Sequence, residues 1–220
     1  MALAARLTEL RSSLDLFAAQ VRNFASQKTS LNAATAFSLQ EEYYLEGLSS
    51  RLWQVWCGFC RACIIESCLG TTNAAGTVVP SVPGATSEAH VSSAAIRARA
   101  KAKPPYWGAT NTSLRREPTW GDVDVLALIL PRLGPANSAT LLAAFSTASR
   151  GAKALQIVRN AAAHNNIETA GDLASLRSRY QVFSIGHPTH AMFWIEPVSG
   201  DFLVTHAVGE LEAAALVAIS

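Results

Sequence analysis

Three polar side chains near the end of an alanine-rich segment have the right types for phosphodiester chemistry. Between Ala154 and Asn166 the chain reads ALQIVRNAAAHNN, with Arg159, Asn160 and His164 among small and apolar residues. A guanidinium is always charged and can hold a phosphate through two hydrogen bonds. An imidazole, with an ordinary pKa near ~6.5, can move a proton to or from a ribose hydroxyl or a leaving oxygen. Cleavage by such a pair demands no metal.

The segment has the period of a helix, and the period determines how these side chains diverge. At about 100° per residue, Asn160 and His164 lie within about 40° of each other, whereas Arg159 and His164 differ by about 140°. The long arginine can still swing towards the histidine where the helix ends. Cations are also favoured at a helix C-terminus by its dipole, without any catalytic role. One Arg and one His supply few catalytic groups, so catalysis by them suggests that two copies of the chain meet across a two-fold interface.

Four cysteines form a second candidate site. Cys57, Cys60, Cys63 and Cys68 lie in WCGFCRACIIESC, and the C-x-x-C-x-x-C spacing is compatible with a metal or an iron–sulfur cluster. The same steps place cysteines on one stripe of a helix, where they pack as small apolar residues. Because no second cluster of Cys and His follows to complete a zinc site, we expect core cysteines and predict no metal or other cofactor.

The composition predicts one packed domain covering residues 1–220. Of 220 residues, 50% are hydrophobic and 15% are charged, which supports a sizeable core and argues against global disorder. The net charge of +2 is too small to indicate nucleic-acid binding by itself. Neither a run of about 18 apolar residues nor the apolar centre of a signal peptide occurs. We therefore expect a cytoplasmic protein without a membrane partner.

Apolar residues at steps of three and four predict a mainly α fold, a helical bundle whose first two long helices form an antiparallel hairpin. The tail changes period: VFSI and AMFWIEPVSGDFLVTHA predict a strand, a turn and a strand, which form a small C-terminal β-hairpin. Ser149 is the expected N-cap of the helix that carries Arg159. Helices are predicted over residues 2–27, 36–70, 87–103, 120–133, 135–149, 149–164, 169–180 and 209–219.

Residues 70–119 are predicted to be a flexible insertion within the domain. Their composition is small and polar with several Pro and Gly, and six Lys or Arg stand against two Asp or Glu. Basic residues interleaved with aromatic ones can track phosphates and stack bases, so an RNA contact is one interpretation and a solvated linker is the other. The candidate RNA-binding residues are Arg97, Arg99, Lys101 and Lys103, which precede Tyr106 and Trp107.

The segment VRNAAAHNN resembles the R-x(4–6)-H signature of the HEPN superfamily, in which a polar residue, often Asn, follows the arginine. Two long N-terminal helices precede it, and it lies near the end of a late helix, as in that superfamily. The motif covers six residues, Arg159 to His164, whereas the helical architecture covers most of the chain. The chain departs from the subgroup whose motif continues H-x-Tyr, because Asn165 and Asn166 follow the histidine.

The resemblance implies a metal-independent endoribonuclease that acts through 2′-hydroxyl attack, with Arg159 and His164 catalytic and Asn160 supporting them. It also implies a homodimer with a composite site, an RNA substrate, and a role as a toxin or antiviral defence effector with an antitoxin or regulatory partner. Two alternatives stay open at this point. The chain could be a non-catalytic HEPN-like module that binds RNA, a nucleotide or a protein, or a helical interaction domain in which the motif is coincidental.

Overall fold

Apolar residues spaced three and four apart build the two long helices at the start of the chain. The stripe of α1, Leu3–Ser26, is buried from Leu3 to Phe24. In α2, Leu39–Leu69, the buried residues include Leu45, Leu52 and Trp56. Both helices therefore agree with the predicted ranges to within a few residues at each end, because a long apolar stripe is the strongest sequence signal of a helix.

The computed structural model describes residues 2–100, 103–110, 114–164 and 166–220. These residues form a mainly α fold with one small antiparallel β-hairpin, which confirms the predicted fold class. The remaining α-helices are α3 Glu88–Arg99, α4 Val123–Leu133, α5 Ser138–Thr147, α6 Gly151–Ala163, α7 Ile167–Ser175 and α8 Leu203–Ala218. Short 3₁₀ helices span Ala34–Ala36, Leu114–Arg116, Leu176–Ser178 and Pro188–Phe193.

The β-hairpin lies in the predicted insertion and not at the C-terminus. Strands β1, Thr71–Thr72, and β2, Val78–Val79, pair antiparallel with Thr71 opposite Val79. Between them, the side chain of Asn73 accepts hydrogen bonds from the backbone of Ala75 and Thr77. Gly76 has φ of 81°, a left-handed conformation that glycine adopts without strain. Asn and Gly between two β-branched pairs are thus the turn signal of this hairpin.

The predicted C-terminal strands are wrong because the apolar residues there do not alternate between two faces. Ala191, Met192, Phe193 and Trp194 are buried in succession at the end of the Pro188–Phe193 3₁₀ helix. The stretch predicted as the second strand is instead the start of α8, whose buried residues continue at helical spacing from Leu203. Pairing in this region is limited to single bridges, Gln181 with Ile195 and Ile195 with Phe202.

The segment 70–119, predicted to be a flexible insertion, contains a helix that contributes buried residues. Its helix α3 packs against α4. Val91, Ala94, Ala95 and Ala98 of α3 are fully buried. Alanine and serine dominate the buried face, so its apolar period is faint in the sequence, although small side chains let two helices approach closely.

The chain divides into two compact units, each made of separate stretches. One unit comprises Met1–Leu10, Trp56–Ser149 and Ala213–Ser220, and the other comprises Arg11–Val55 and Arg150–Glu212. All three residues proposed for phosphodiester chemistry belong to the second unit, whereas the basic segment around α3 belongs to the first. In the described part of the chain, every helix is too short or too polar to cross a membrane.

Candidate functional site

Arg159 and Asn160 lie in the last turns of α6, and His164 is the residue that follows the helix. Arg159 Nη1 donates a hydrogen bond to Asn160 Oδ1 over 3.0 Å, so the neighbouring amide holds the guanidinium. His164 follows the last helical residue, and its side chain is exposed. The arginine is half-buried, and its Nε has no hydrogen-bond partner among the described residues. A buried N–H without a partner is uncommon in folded proteins.

Hydrogen bonds at the junction between α6 and α7 fix the backbone of His164. Its N–H donates to Asn160 O over 2.8 Å, and its carbonyl accepts from the backbone of Asn166 over 2.8 Å and from the Thr169 hydroxyl. Asn166 caps α7, since its side chain accepts from the N–H groups of Glu168 and Thr169, each over 3.0 Å. The imidazole is therefore exposed on a backbone that is held in place, as a proton-transfer group requires.

The start of α6 is held by a distant carboxylate. The predicted cap, Ser149, lies one residue before the N-cap position, which Arg150 occupies. The N–H of Gly151 instead donates to Glu210 Oε2 of α8. A carboxylate at this position is also favoured by the partial positive charge of the helix N-terminus. A cap supplied by a residue so far along the chain leaves no local sequence signal.

The three alanines between Asn160 and His164 have different surroundings. Ala161 is only 3% exposed and packs inside the chain, where it lines a cavity with Pro188 and Trp194. Ala162 is half-buried and Ala163 is exposed. A close approach by a second copy of α6 is therefore available to Ala163 and His164, whereas Ala161 is already covered.

Two histidines, His187 and His190, form a paired cluster with glutamates of α2. His187 Nε2 lies 3.1 Å from Glu46 Oε1, and His190 Nε2 lies 3.1 Å from Glu42 Oε1. The Nδ1 atoms accept from the backbone N–H groups of Thr189 and Gly186. Since a backbone N–H only donates, a neutral His190 ring carries its proton on Nε2, facing the carboxylate. The Pro188–Phe193 helix, which carries His190, packs against α6.

The ring of His190 is completely buried, and this makes the unit's stability depend on pH. It stacks on Phe37 with ring centroids 4.0 Å apart. Burial lowers the pKa of His190 below its usual value, and His187 and Lys28 act in the same direction, while Glu42 opposes them. Protonation would also place a second N–H against the Gly186 N–H.

We therefore expect the free energy of unfolding to fall as the pH drops below about 6.5, the pKa of an unfolded histidine. The unfolded chain takes up the proton first, so the stabilisation is present above that pH and is lost below it. Chemical denaturation of wild type between pH 7.5 and 5 measures this slope. His190→Gln should flatten it, whereas His164→Gln, at an exposed position, should keep it. An equal slope in all three proteins would contradict this role of His190.

The predicted RNA-binding residues of the basic segment differ in their solvent exposure and hydrogen bonding. Arg97 is half-buried in the last turn of α3, and its Nε donates to Tyr106 O over 2.7 Å, which anchors the following loop. Arg99 and Lys103 are exposed, and Lys101 lies outside the described residues. Because α3 extends to Arg99, Arg97 and Arg99 point in directions about 160° apart and do not form one basic stripe.

The cysteines pack as predicted for core residues. Cys60, Cys63 and Cys68 are fully buried, whereas Cys57 is half-buried. Burial raises the pKa of the Cys60 and Cys63 thiols, and it raises that of Cys68 to about 12. These thiols therefore stay protonated at neutral pH and are poor nucleophiles. Across the described ranges, no group of three or more His, Cys, Asp or Glu side chains is placed to hold a metal ion.

No protein-family model, curated protein or solved structure matches the chain. A function must therefore be inferred from the chemistry of its own side chains. The junction of α6 and α7 offers a hydrogen-bonded guanidinium and an exposed imidazole on a constrained backbone.

Proposed function

We propose that the chain is a metal-independent endoribonuclease of the HEPN type that serves as a toxin or antiviral defence effector. The observation that carries this proposal is the placement of Arg159, Asn160 and His164 at one end of α6, with the Arg159–Asn160 hydrogen bond of 3.0 Å. Asn160 holds the guanidinium, which binds the phosphate and stabilises the charge that develops on its oxygens. His164 exchanges protons with the reacting oxygens.

The reaction is an attack of the ribose 2′-hydroxyl on the adjacent phosphorus. The 2′-oxygen forms a new P–O bond while the bond to the 5′-oxygen breaks, which leaves a 2′,3′-cyclic phosphate and a 5′-hydroxyl. One base must remove the 2′ proton, and one acid must protonate the leaving 5′-oxygen. A neutral imidazole serves the first role and a protonated one the second, so one His164 from each of two copies supplies both.

The exposure of Ala163 and His164 supports this two-fold arrangement, because both face away from the chain's own packing. In the proposed homodimer, the small side chain of Ala163 lets the second copy of α6 approach closely. Solution mass measured by light scattering should report a dimer at the concentration at which cleavage is assayed. A strict monomer that cleaves RNA would contradict the composite site while leaving the roles of Arg159 and His164 open to the following assay.

Cleavage of RNA in excess EDTA tests the proposal. We expect wild type to release products with 2′,3′-cyclic phosphate ends, and Arg159→Ala and His164→Ala each to lower kcat/KM by at least about 10²-fold. Arg179→Ala removes an equally charged but exposed side chain of the same unit, and it should cleave as wild type does. Circular dichroism should show the same helix content in all four proteins. Equal cleavage by every variant would overturn the proposed site, and binding of RNA without cleavage would favour a non-catalytic RNA-binding module.

A further inference from the structure

One open side of α6 carries a row of side chains that leads away from the proposed reaction site. The row follows helical steps of three and four residues and consists of Arg150, Lys153, Ile157, Asn160 and His164. At about 100° per residue, these positions fall within about 80° of one another around the helix axis. Arg150 and His164 are exposed, and the other three side chains are half-buried. An extended ligand can therefore follow this side of the helix.

The opposite side of α6 is covered by the chain itself. Its buried residues are Gly151, Ala152, Ala154, Leu155, Val158 and Ala161. The Glu210 carboxylate lies on this covered side, because a Cβ on Gly151 would be only 2.6 Å from Glu210 Oε2. Gly151 and Lys153 point about 160° apart. The carboxylate that binds the first turn of α6 therefore faces away from the row.

The two cations of the row stand where the helix itself disfavours positive charge. Arg150 is the N-cap, with helical φ and ψ of −83° and −58°, and Lys153 lies in the first turn, which contains no acidic residue. Cations near a helix N-terminus are unfavourable, because that end carries a partial positive charge. Helix stability therefore does not account for these two side chains. Positions that oppose a local preference often serve a function, and an anionic ligand would interact favourably with both.

The row connects the two cations to the groups that act on the scissile phosphate. The Arg159 side chain leaves the helix about 100° from that of Asn160, but its Nη1 lies 3.0 Å from Asn160 Oδ1. Its charged end is therefore held beside the row. Along the helix axis, Lys153 is roughly 10 Å and Arg150 roughly 15 Å from Asn160. Because such separations span a few nucleotides of an extended strand, the two cations reach phosphates other than the one that Arg159 binds.

We propose that this row is a track for the RNA backbone, in which Arg150 and Lys153 bind phosphates beside the scissile one. The inference rests on the proposed function for the roles of Arg159 and His164. Cationic side chains along an open surface bind successive phosphates without reading the bases. The row therefore raises the affinity for longer RNA and leaves the chemical step unchanged. A dinucleotide contains only the scissile phosphate and gains nothing from it.

Binding of a fluorescein-labelled oligouridylate at several salt concentrations tests the track without requiring cleavage. The test variant is Arg150→Gln/Lys153→Gln, and the matched control, Arg22→Gln/Arg51→Gln, removes two charges from exposed positions of α1 and α2 in the same unit. Both are made in a His164→Ala parent, so that the RNA stays intact. We expect the test variant to bind about tenfold more weakly at low salt, and the slope of log affinity against log salt to become shallower by about 1.4, or about 0.7 for each lost phosphate contact. The control should keep the slope of the parent. Equal slopes in all three proteins, or no binding by any of them, would overturn the track.

Cleavage of substrates of two lengths separates this inference from the proposed function. With the natural histidine in place, the test variant should cleave oligouridylate with a kcat/KM about tenfold lower than wild type, through a higher KM. It should cleave uridylyl-uridine, which has a single phosphate, as wild type does. An equal loss on both substrates would overturn the track, because the two cations would then act on the chemistry or the fold. The expected binding slopes without any cleavage by wild type would instead overturn the nuclease and retain the track.

Discussion

Replacing Glu117 with glutamine is expected to lower the free energy of unfolding by about 3 kcal/mol, since the change removes one charge from a partly buried ion pair. Glu117 receives two hydrogen bonds from Arg61, both of 2.7 Å, one from Ser92 of 2.5 Å and one from Trp120 of 2.8 Å. Its side chain is only 13% exposed. The carboxylate thereby ties α2 and α3 to the chain segment that leads into α4.

An amide at this position keeps the shape but cannot accept all four donors. One carboxylate oxygen becomes an NH₂ group, which would face donors of Arg61 and Ser92 or of Arg61 and Trp120. The Arg61 guanidinium would then be left part-buried without its main counterion. Leaving such groups unpaired costs more than their pairing gains, because they lose water without a replacement.

Glu88→Gln is the matched control, because Glu88 binds the same guanidinium over 2.8 Å but its side chain is 61% exposed. An exposed ion pair contributes about 0.5 kcal/mol or less, so this variant should unfold close to wild type. Urea denaturation of the three proteins at pH 7 measures both differences. Similar midpoints for Glu117→Gln and Glu88→Gln would show that the buried carboxylate contributes no more than the exposed one.

The same carboxylate makes the free energy of unfolding depend on pH in the acidic range. Burial alone would raise the pKa of Glu117, but the hydrogen bonds from Arg61, Ser92 and Trp120 outweigh it and hold the pKa at about 2. The unfolded chain binds this proton near pH 4.5, so the stabilisation is present above that pH and is lost between pH 4.5 and about 2. The difference corresponds to about 3 kcal/mol, in agreement with the effect expected for the substitution. Glu117→Gln should lose this part of the acid dependence.

Local patterns in the sequence predict the helices well, whereas the contacts that hold them together depend on distant residues. The long apolar stripe from Leu3 to Phe24 predicts α1, and the five-residue spacing of Arg159 to His164 places both near the end of one helix. Nothing near Glu117 in the sequence marks it as the acceptor of Arg61, which lies 56 positions earlier. The sequence around His187 and His190 likewise does not indicate the glutamates of α2 that face them, because the partners are more than a hundred residues apart.

The C-terminal region shows a second physical reason for errors. Val204 and Thr205 are β-branched and favour a strand in isolation, but the buried positions from Leu203 through Ala207 and Leu211 follow the helical period. Packing of one apolar face then outweighs the local preference, which amounts to a fraction of a kcal/mol per residue. The β-hairpin was missed for the opposite reason, since strands of two residues are too short to show alternation.

Replacing Gly151 with alanine is expected to destabilise the protein by about 2–3 kcal/mol, although alanine normally favours a helix. A Cβ at this position would lie 2.9 Å from Ala207 Cα and 2.6 Å from Glu210 Oε2. The Glu210 carboxylate is the flexible end of a side chain and can move, but the backbone of α8 cannot move without shifting the helix. The first turn of α6 therefore requires glycine for the close approach of the two helices.

Gly209→Ala provides the matched control, because it places the same methyl group in α8 at an exposed position. No heavy atom outside its own surroundings on the helix lies within 4 Å of that Cβ in the described part of the chain. Alanine should therefore stabilise the protein there by about 0.5–1 kcal/mol through its higher helix propensity. Thermal and urea denaturation should move the two variants in opposite directions from wild type.

The position of the clash predicts a second consequence for Gly151→Ala. Movement of Glu210 away from the new methyl group would also remove the acceptor of the residue 151 N–H, so the start of α6 would lose its cap. Hydrogen exchange should then accelerate most in the first turn of α6, while the amide of His164, bonded to Asn160 O over 2.8 Å at the other end, keeps more of its protection. Uniform acceleration along α6 would point to a shift of the whole helix instead, and unchanged stability would show that α8 yields to the methyl group.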